Sequence, residues 1–288
     1  MPLVRLFDAL DHRASTPRTR RAIGAGLVIA FLSYLVVIEL GRQGLLPDGL
    51  AARIPTSHFY AVDLAFKLLL LVEVVELIFG LAHSVADALG KQLEILSLIL
   101  LRAAFKELTN FPEPIAWEPD RAEAVLHMAA DVSGALVIFV VLGFYYRAQK
   151  HRRITSTDRE QAQFVATKKR IAFLLLVLFV SIGAYDLVRW SMGLPVADFF
   201  ATFYTVLIFA DVLIVLVSLR YASFYAVVFR NSAFAMTTVL IRLALAAPPY
   251  ISALIGVGAA VLALGLTLAY NRFALEISDE IVLESEAV

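Results

Sequence analysis

The sequence predicts an all-α, polytopic membrane protein with eight transmembrane helices, arranged as two parallel four-helix repeats. Three observations predict this fold class: the composition, a series of long apolar stretches, and ordered matches between the two halves of the chain. Of 288 residues, 60% are hydrophobic and 17% are charged, whereas soluble domains have about 45–50% and about 25%. A soluble core of this size could not cover so much apolar surface, so we expect lipid to cover part of it.

The apolar stretches define the spans, because a helix that crosses the bilayer needs about twenty predominantly apolar residues. Five spans are clear: 22–40, 124–146, 171–190, 199–219 and 250–270. Residues 59–82 form a sixth span that is interrupted by four charged residues. Two further spans, 92–108 and 232–247, are short, and each carries an arginine.

Basic residues in the loops orient these spans, since cytoplasmic loops are enriched in lysine and arginine. The segment before residue 22 contains five arginines, and the linker 147–170 contains eight basic residues, whereas the loop 109–123 contains one among four acidic residues. Both termini are therefore predicted to be cytoplasmic. A six-span alternative without 92–108 and 232–247 gives the same orientation but places Lys91 or Arg230 in re-entrant loops, so eight spans are preferred.

The two halves repeat a series of local sequence features in the same order. Arg21-Ala22-Ile23 matches Lys169-Arg170-Ile171, Leu46-Pro47 matches Leu194-Pro195, and Tyr145-Tyr146-Arg147 matches Tyr270-Asn271-Arg272. Four spans per copy is an even number, so both copies have the same orientation. The predicted division is a cytoplasmic N-terminal tail 1–21, a first repeat 22–147, a basic cytoplasmic linker 148–168, a second repeat 169–272 and an acidic cytoplasmic tail 273–288.

Charged residues at membrane depth are the candidate functional residues, because one charge at mid-bilayer costs about 2.5–3.5 kcal/mol. Helical rise places Glu73 about 13 Å above the inner end of the second span and Arg102 about 16 Å up the third. Asp211 and Arg242 occupy the corresponding places in the second copy. We predict two intramembrane ion pairs, Glu73–Arg102 and Asp211–Arg242, which either hold the helices together or belong to a proton or ion pathway.

Three further charged residues lie in the second span. Asp63 and Lys67 are four residues apart, the spacing at which side chains pair along one helix face. Glu76 either stays protonated or faces water. If a polar pathway exists, we expect these three residues to line it together with Glu73.

Catalytic and cofactor sites are not expected. The absence of cysteine excludes thiolate chemistry, and the net charge of zero argues against nucleic acid as a partner. His127 with Asp131, or His58 with His127, could bind metal or haem, but no third ligand accompanies them. We predict no enzyme activity, no metal and no cofactor. The lipid bilayer is the expected partner; a homo-oligomer and a protein partner stay open.

Three features of the first repeat carry a resemblance to a known family. They are Leu71-Val72-Glu73-Val74-Val75, the stretch from Glu94 to Arg102, and a closing span that ends in aromatic and basic residues. In these features the repeat resembles the phosphate-starvation-inducible PsiE-like family of small bacterial membrane proteins. The resemblance covers roughly residues 22–150. The second repeat, residues 169–272, resembles the family through Asp211 and Arg242. The chain departs from the family in its duplication and in the extra charges of its second span.

The resemblance implies a bacterial inner-membrane location and a link to phosphate limitation, but no established activity. The predicted function is therefore that of a non-enzymatic inner-membrane protein of structural, stress-response or regulatory character. The alternative is a proton or small-cation transporter or channel that uses the intramembrane carboxylates.

Overall fold

The computed structural model describes residues 2–47, 49, 54–82, 85–116, 118, 121–149, 158–195, 198–219 and 225–286. Within these ranges the regular secondary structure is entirely helical, as predicted. The α-helices are α1 (Pro2–Ala14), α2 (Pro17–Arg42), α3 (Phe59–Gly80), α4 (Val85–Lys106), α5 (Ala122–Ala148), α6 (Asp158–Ser191), α7 (Phe199–Leu219), α8 (Tyr225–Ala246) and α9 (Pro249–Glu286). A short 3-10 helix, Glu107–Asn110, continues α4.

Six of the described helices are long and apolar enough to cross a membrane, namely α2, α5, α6, α7, α8 and α9. The chain is thus a helical membrane protein, but six helices rather than the predicted eight meet this criterion. The two long helices that do not are α3 and α4, each 22 residues long. Their charged residues explain the difference, since the cost of inserting one charge into the bilayer offsets the favourable insertion free energy of several apolar side chains.

Local sequence features determine where several helices begin and end. Thr16 caps α2, accepting a hydrogen bond of 3.2 Å from the backbone N–H of Thr19. A glycine with positive φ lies two residues after the last residue of both α2 and α6: Gly44 at 69° and Gly193 at 71°. The next residue in each case donates a backbone hydrogen bond to the carbonyl five positions earlier. This is the Schellman motif, which requires a left-handed residue and therefore favours glycine.

Some helices extend beyond the predicted spans. The helix α4 begins at Val85 rather than at residue 92, and α6 begins at Asp158, inside the predicted linker. The helix α9 continues to Glu286 through the predicted acidic tail. Apolar content measures only the part of a helix that lipid can cover, whereas the backbone hydrogen bonds of a helix continue into polar flanks. Residues 150–157 of the predicted linker lie outside the described ranges.

The buried apolar residues form two clusters, and each cluster contains helices from both predicted repeats. One joins α1, α3, α6 and α7 through residues such as Phe7, Ile78 and Phe203. The other joins α4, α5, α8 and α9 through residues such as Leu96 and Ile138. The halves of the sequence therefore do not form two separate cores.

Close packing characterises the second cluster, whereas α2 is almost uncovered. At Gly134 of α5, a Cβ atom would lie 2.8 Å from the Cβ of Ala253 in α9. Such contacts between small residues are typical of membrane helices. On α2 only Ile38 is buried, and a Cβ added at Gly24 or Gly26 would meet no atom within 4 Å. The N-terminal half of α2 thus stands apart from the bundle.

Candidate functional site

The first predicted charge pair lies between the neighbouring helices α3 and α4. Both terminal nitrogens of the Arg102 guanidinium donate hydrogen bonds to the Glu73 carboxylate, one to each oxygen. The side chains are only 8% exposed for Glu73 and 14% for Arg102. This parallel arrangement is the geometry in which arginine binds a carboxylate most strongly. The structure therefore brings these two residues together and satisfies both carboxylate oxygens.

The second predicted charge pair has a different geometry. Arg242 of α8 and Asp211 of α7 are brought together, but the shortest distance, from Nε to Oδ2, is 3.7 Å. Among the described residues, the three guanidinium nitrogens of Arg242 and the Oδ2 atom of Asp211 have no hydrogen-bond partner. Both side chains are buried. Buried charges without hydrogen bonds are costly, so this pair is held in a less favourable state than Glu73–Arg102.

A small pocket of about 40 Å³ adjoins Asp211 of the second pair. Its polar lining consists of Gln92, Lys168, Asp211, Asn231 and Thr238. Each of these side chains is buried, and the Oε1 of Gln92 and the Nδ2 of Asn231 have no hydrogen-bond partner within the described part of the chain. A polar cavity can hold a water molecule from about 10–15 Å³ upwards. The site is thus large enough and polar enough for one or two waters or a small ion.

The remaining predicted residues of α3 do not form one continuous line. Asp63 and Lys67 form an ion pair of 2.7 Å, with Lys67 57% exposed. Glu76 lies 3.9 Å from Lys91 of α4. Since Lys67 and Glu76 are nine residues apart, their directions around the helix differ by about 180°. The structure therefore places Asp63 and Lys67 on one side of α3 and Glu76 on the other.

His58 belongs to a polar cluster at the start of α3, with no haem-like partner among the described residues. Glu113 accepts a hydrogen bond of 3.0 Å from the backbone N–H of His58. Its other carboxylate oxygen lies 2.8 Å from Nδ1 of the His58 ring. Glu39 and Arg42 of α2 lie next to the same ring. The hydrogen bond from the His58 backbone is the main reason why the pKa of Glu113 lies below its ordinary value of 4.5.

His127 lies elsewhere, at the beginning of α5. Its ring packs edge-on against Tyr250 at 4.8 Å and lies 3.8 Å from the Glu107 carboxylate. The carboxylate of Asp131, one turn further along, is buried without a hydrogen-bond partner in the described ranges. No group of three or more histidine, aspartate or glutamate side chains suited to a metal occurs among the residues that the structure describes.

Several of these polar residues were not predicted from the sequence. Gln92, Asn231 and Lys168 lie near the ends of apolar stretches, where a polar side chain is normally solvated. Their position beside Asp211 depends on how α4, α6 and α8 pack against α7. The sequence offered one signal for two of them. Gln92 and Asn231 each directly follow a basic residue, Lys91 and Arg230, near the start of a predicted short span.

Comparisons of the chain with protein-family models, with curated proteins and with solved structures find no match in any of the three. These comparisons do not test the resemblance to the PsiE-like family, which stays a prediction from the sequence.

Proposed function

We propose that the chain is a non-enzymatic, PsiE-like inner-membrane protein with eight spans, active in the response to phosphate starvation or another stress. In this proposal the Glu73–Arg102 pair is a structural element that allows two charged helices to reside in the bilayer. The observation that carries it is the bidentate, largely buried contact between these residues. A pair that satisfies both partners is typical of a structural role, because it leaves no free position for a transported ion.

The eight-span topology is supported by the length and neighbours of the two charged helices. Both α3 and α4 have 22 residues, enough to span about 33 Å. Buried positions of α4 such as Leu96 pack with α5 and α9, two of the six helices that meet the membrane criterion. A duplication is supported by the matching Schellman ends of α2 and α6 and by the equivalent positions of the two acid–arginine pairs.

Cysteine labelling tests the topology, because the natural chain has no cysteine. We expect Ser84→Cys, between α3 and α4 in the sequence, to be labelled from the cytoplasmic side. Ile115→Cys, which replaces an exposed residue between α4 and α5, should be labelled from the opposite side. If α3 and α4 do not cross, both positions will react from the same side, and the eight-span proposal is wrong.

The structural role of the charge pair is tested by single and double substitutions. Arg102→Leu leaves Glu73 buried without its partner and should lower stability by about 3–5 kcal/mol. Glu73→Leu combined with Arg102→Leu should recover part of this loss, since no unpaired charge remains. Thermal unfolding and folded yield in detergent measure both. Wild-type stability in the single variant would contradict the role, as would a double variant no better than the single.

The link to phosphate limitation is tested in the cell. We expect the abundance of the protein in its source organism to rise when phosphate is withdrawn and to fall when it is restored. A constant level under phosphate limitation and under general stress conditions would contradict this part of the proposal.

Proton or small-cation transport is a second candidate function, and the Asp211 cavity favours it. A carboxylate oxygen without a hydrogen bond beside a polar cavity is a suitable place for a proton or ion to bind. The test is proton or sodium flux into liposomes that contain the purified protein. Transport predicts flux that Asp211→Asn abolishes and that Asp186→Asn, near the end of α6, leaves intact. Absence of flux in the wild type would argue against this candidate.

A further inference from the structure

A large cavity lies between the inner halves of α2 and α3, bordered by α1 and by the start of α4. Its volume is about 750 Å³. One wall is formed by Ile23, Gly24 and Leu27 of α2, and the facing wall by apolar residues of α3 such as Leu69 and Val72. The cavity exists because α2 packs closely only near its outer end, where its one buried residue, Ile38, is located.

The apolar walls extend well into one membrane leaflet. Leu27 lies seven residues beyond Arg20 on α2, and Leu69 lies seven residues before Glu76 on α3, so each wall rises about 10 Å from a charged residue of the lining. Half of a hydrocarbon core of about 30 Å is about 15 Å. The walls could therefore accompany an acyl chain over about two thirds of the leaflet.

Charged residues of both signs lie at the mouth of the cavity, near the helix ends. Arg20 and Lys91 are the cations, and Asp11 and Glu76 are among the acids. The Arg20 guanidinium and the Asp11 carboxylate have no hydrogen-bond or ion-pair partner among the described residues. Lys91 lies 3.9 Å from Glu76 and donates a hydrogen bond of 2.9 Å to Glu94. The mouth therefore presents adjacent positive and negative groups at the level where lipid headgroups lie.

We propose that this cavity binds one phospholipid with a zwitterionic, amine-bearing headgroup, taken from the leaflet on the side of the N terminus. The phosphate contacts Arg20 and Lys91, the ammonium group contacts Asp11 and Glu76, and an acyl chain lies between α2 and α3. Both charges of such a headgroup are complemented, whereas an anionic headgroup without an amine would leave the Asp11 carboxylate without a partner. The bound lipid then fills the space that separates α2 from the bundle.

A pair of glycine substitutions tests the position of the lipid. Gly24 lines the cavity and Gly26 does not, and a Cβ at either position meets no protein atom within 4 Å. Gly24→Phe should therefore place a ring in the cavity without disturbing the protein, and Gly26→Phe is the matched control. The full chain is reconstituted in vesicles of phosphatidylethanolamine and phosphatidylglycerol, extracted in mild detergent and analysed by native mass spectrometry.

We expect the wild type and Gly26→Phe to retain one phosphatidylethanolamine, and Gly24→Phe to retain at least about tenfold less. Equal retention in the two variants, or no retained lipid in the wild type, would overturn the proposed site. Retention of phosphatidylglycerol in preference to phosphatidylethanolamine would overturn the assignment of the headgroup.

A second pair of variants tests the headgroup contacts. Arg20→Gln removes the cation at the mouth of the cavity and should reduce retention by about five- to tenfold. Arg18→Gln removes the same charge two residues earlier on α2, outside the cavity lining, and should have little effect. Equal losses in both variants would show that only the general positive charge of the segment attracts lipid, which would contradict the specific contact.

Discussion

The guanidinium of Arg242 lies 3.7 Å from the carboxylate of Asp211 and makes no hydrogen bond to it or to any other described residue. Arg102, in contrast, donates two hydrogen bonds to Glu73. The two acid–arginine pairs, which the proposed duplication places in equivalent positions, thus differ in how well the charges are satisfied. The geometry of Glu73–Arg102 fits a contact that stabilises the bundle, whereas the geometry of Asp211–Arg242 does not.

Removal of the whole second pair should be tolerated. We expect Asp211→Leu combined with Arg242→Leu to leave stability unchanged or to raise it, because apolar residues often replace poorly satisfied buried charges without loss. Arg242→Leu alone should lower stability by about 3–5 kcal/mol, since it leaves Asp211 buried and unpaired. Thermal unfolding in detergent measures both. A double variant that is as unstable as the single would show that the pair itself stabilises the fold.

The contact between α5 and α9 should be sensitive to a single methyl group. At Gly134 the added Cβ would lie 2.8 Å from the Cβ and 3.2 Å from the Cα of Ala253, so the two helices must separate. We expect Gly134→Ala to lower stability by about 1–3 kcal/mol. Gly143→Ala is the matched control on the same helix, because its Cβ meets nothing within 4 Å. A comparison of the two thermal midpoints tests the prediction, which fails if both variants behave alike.

The hydroxyl of Tyr145 should contribute to stability through one hydrogen bond. This tyrosine is fully buried and donates to the backbone carbonyl of Ala86 at 2.7 Å, joining α5 to the start of α4. We expect Tyr145→Phe to cost about 0.5–1.5 kcal/mol. Tyr185→Phe removes an exposed hydroxyl that contacts Arg189 and should cost less. Chemical or thermal unfolding of both variants provides the measurement, and a larger loss for Tyr185→Phe would contradict the assignment.

Acidification should weaken the contact between Glu113 and the start of α3. Because the folded protein lowers the pKa of Glu113 below 4.5, this group contributes stability above that pH and loses it as the pH falls through its folded pKa. The wild type should therefore be more stable than Glu113→Gln near neutral pH, and the difference should shrink as the pH falls below 4.5 and vanish once the pH is below the folded-state pKa. The effect is small because the carboxylate is partly exposed. A difference that grows on acidification would contradict the sign.

Apolar length predicted most of the helices, and its errors have a common cause. The helix α7, Phe199–Leu219, matches its prediction because Asp198 and Arg220 bound the apolar stretch in the sequence and Asp211 is its one charged residue. The helices α4 and α6 begin earlier than predicted, since residues such as Asp87 and Lys168 are polar but helical. Hydropathy reports contact with lipid rather than backbone conformation, so it cannot locate the polar ends of a helix.

The helical rise per residue, counted along consecutive helices, was enough to predict which acid would lie opposite which arginine. It could not predict that Arg102 would bind its partner bidentately and Arg242 would not, because that depends on side-chain geometry in the packed bundle. The cavity beside Asp211 depends on Lys168 of the preceding helix α6 and on Gln92 of α4, a helix that is distant from α7 in the sequence. Such contacts arise because helices from both halves of the chain pack in the same cluster. A local sequence pattern does not predict this packing.

The Glu73–Arg102 contact also has a consequence for the synthesis of the protein. The two residues are 29 positions apart, so the arginine leaves the ribosome only after all of α3 has been made. Until then α3 carries an uncompensated charge that opposes its release from the insertion machinery into lipid. In the proposed eight-span topology, α3 and α4 therefore enter the bilayer together as a hairpin, and the α3 segment of a nascent chain that ends before Arg102 should remain outside the hydrocarbon region.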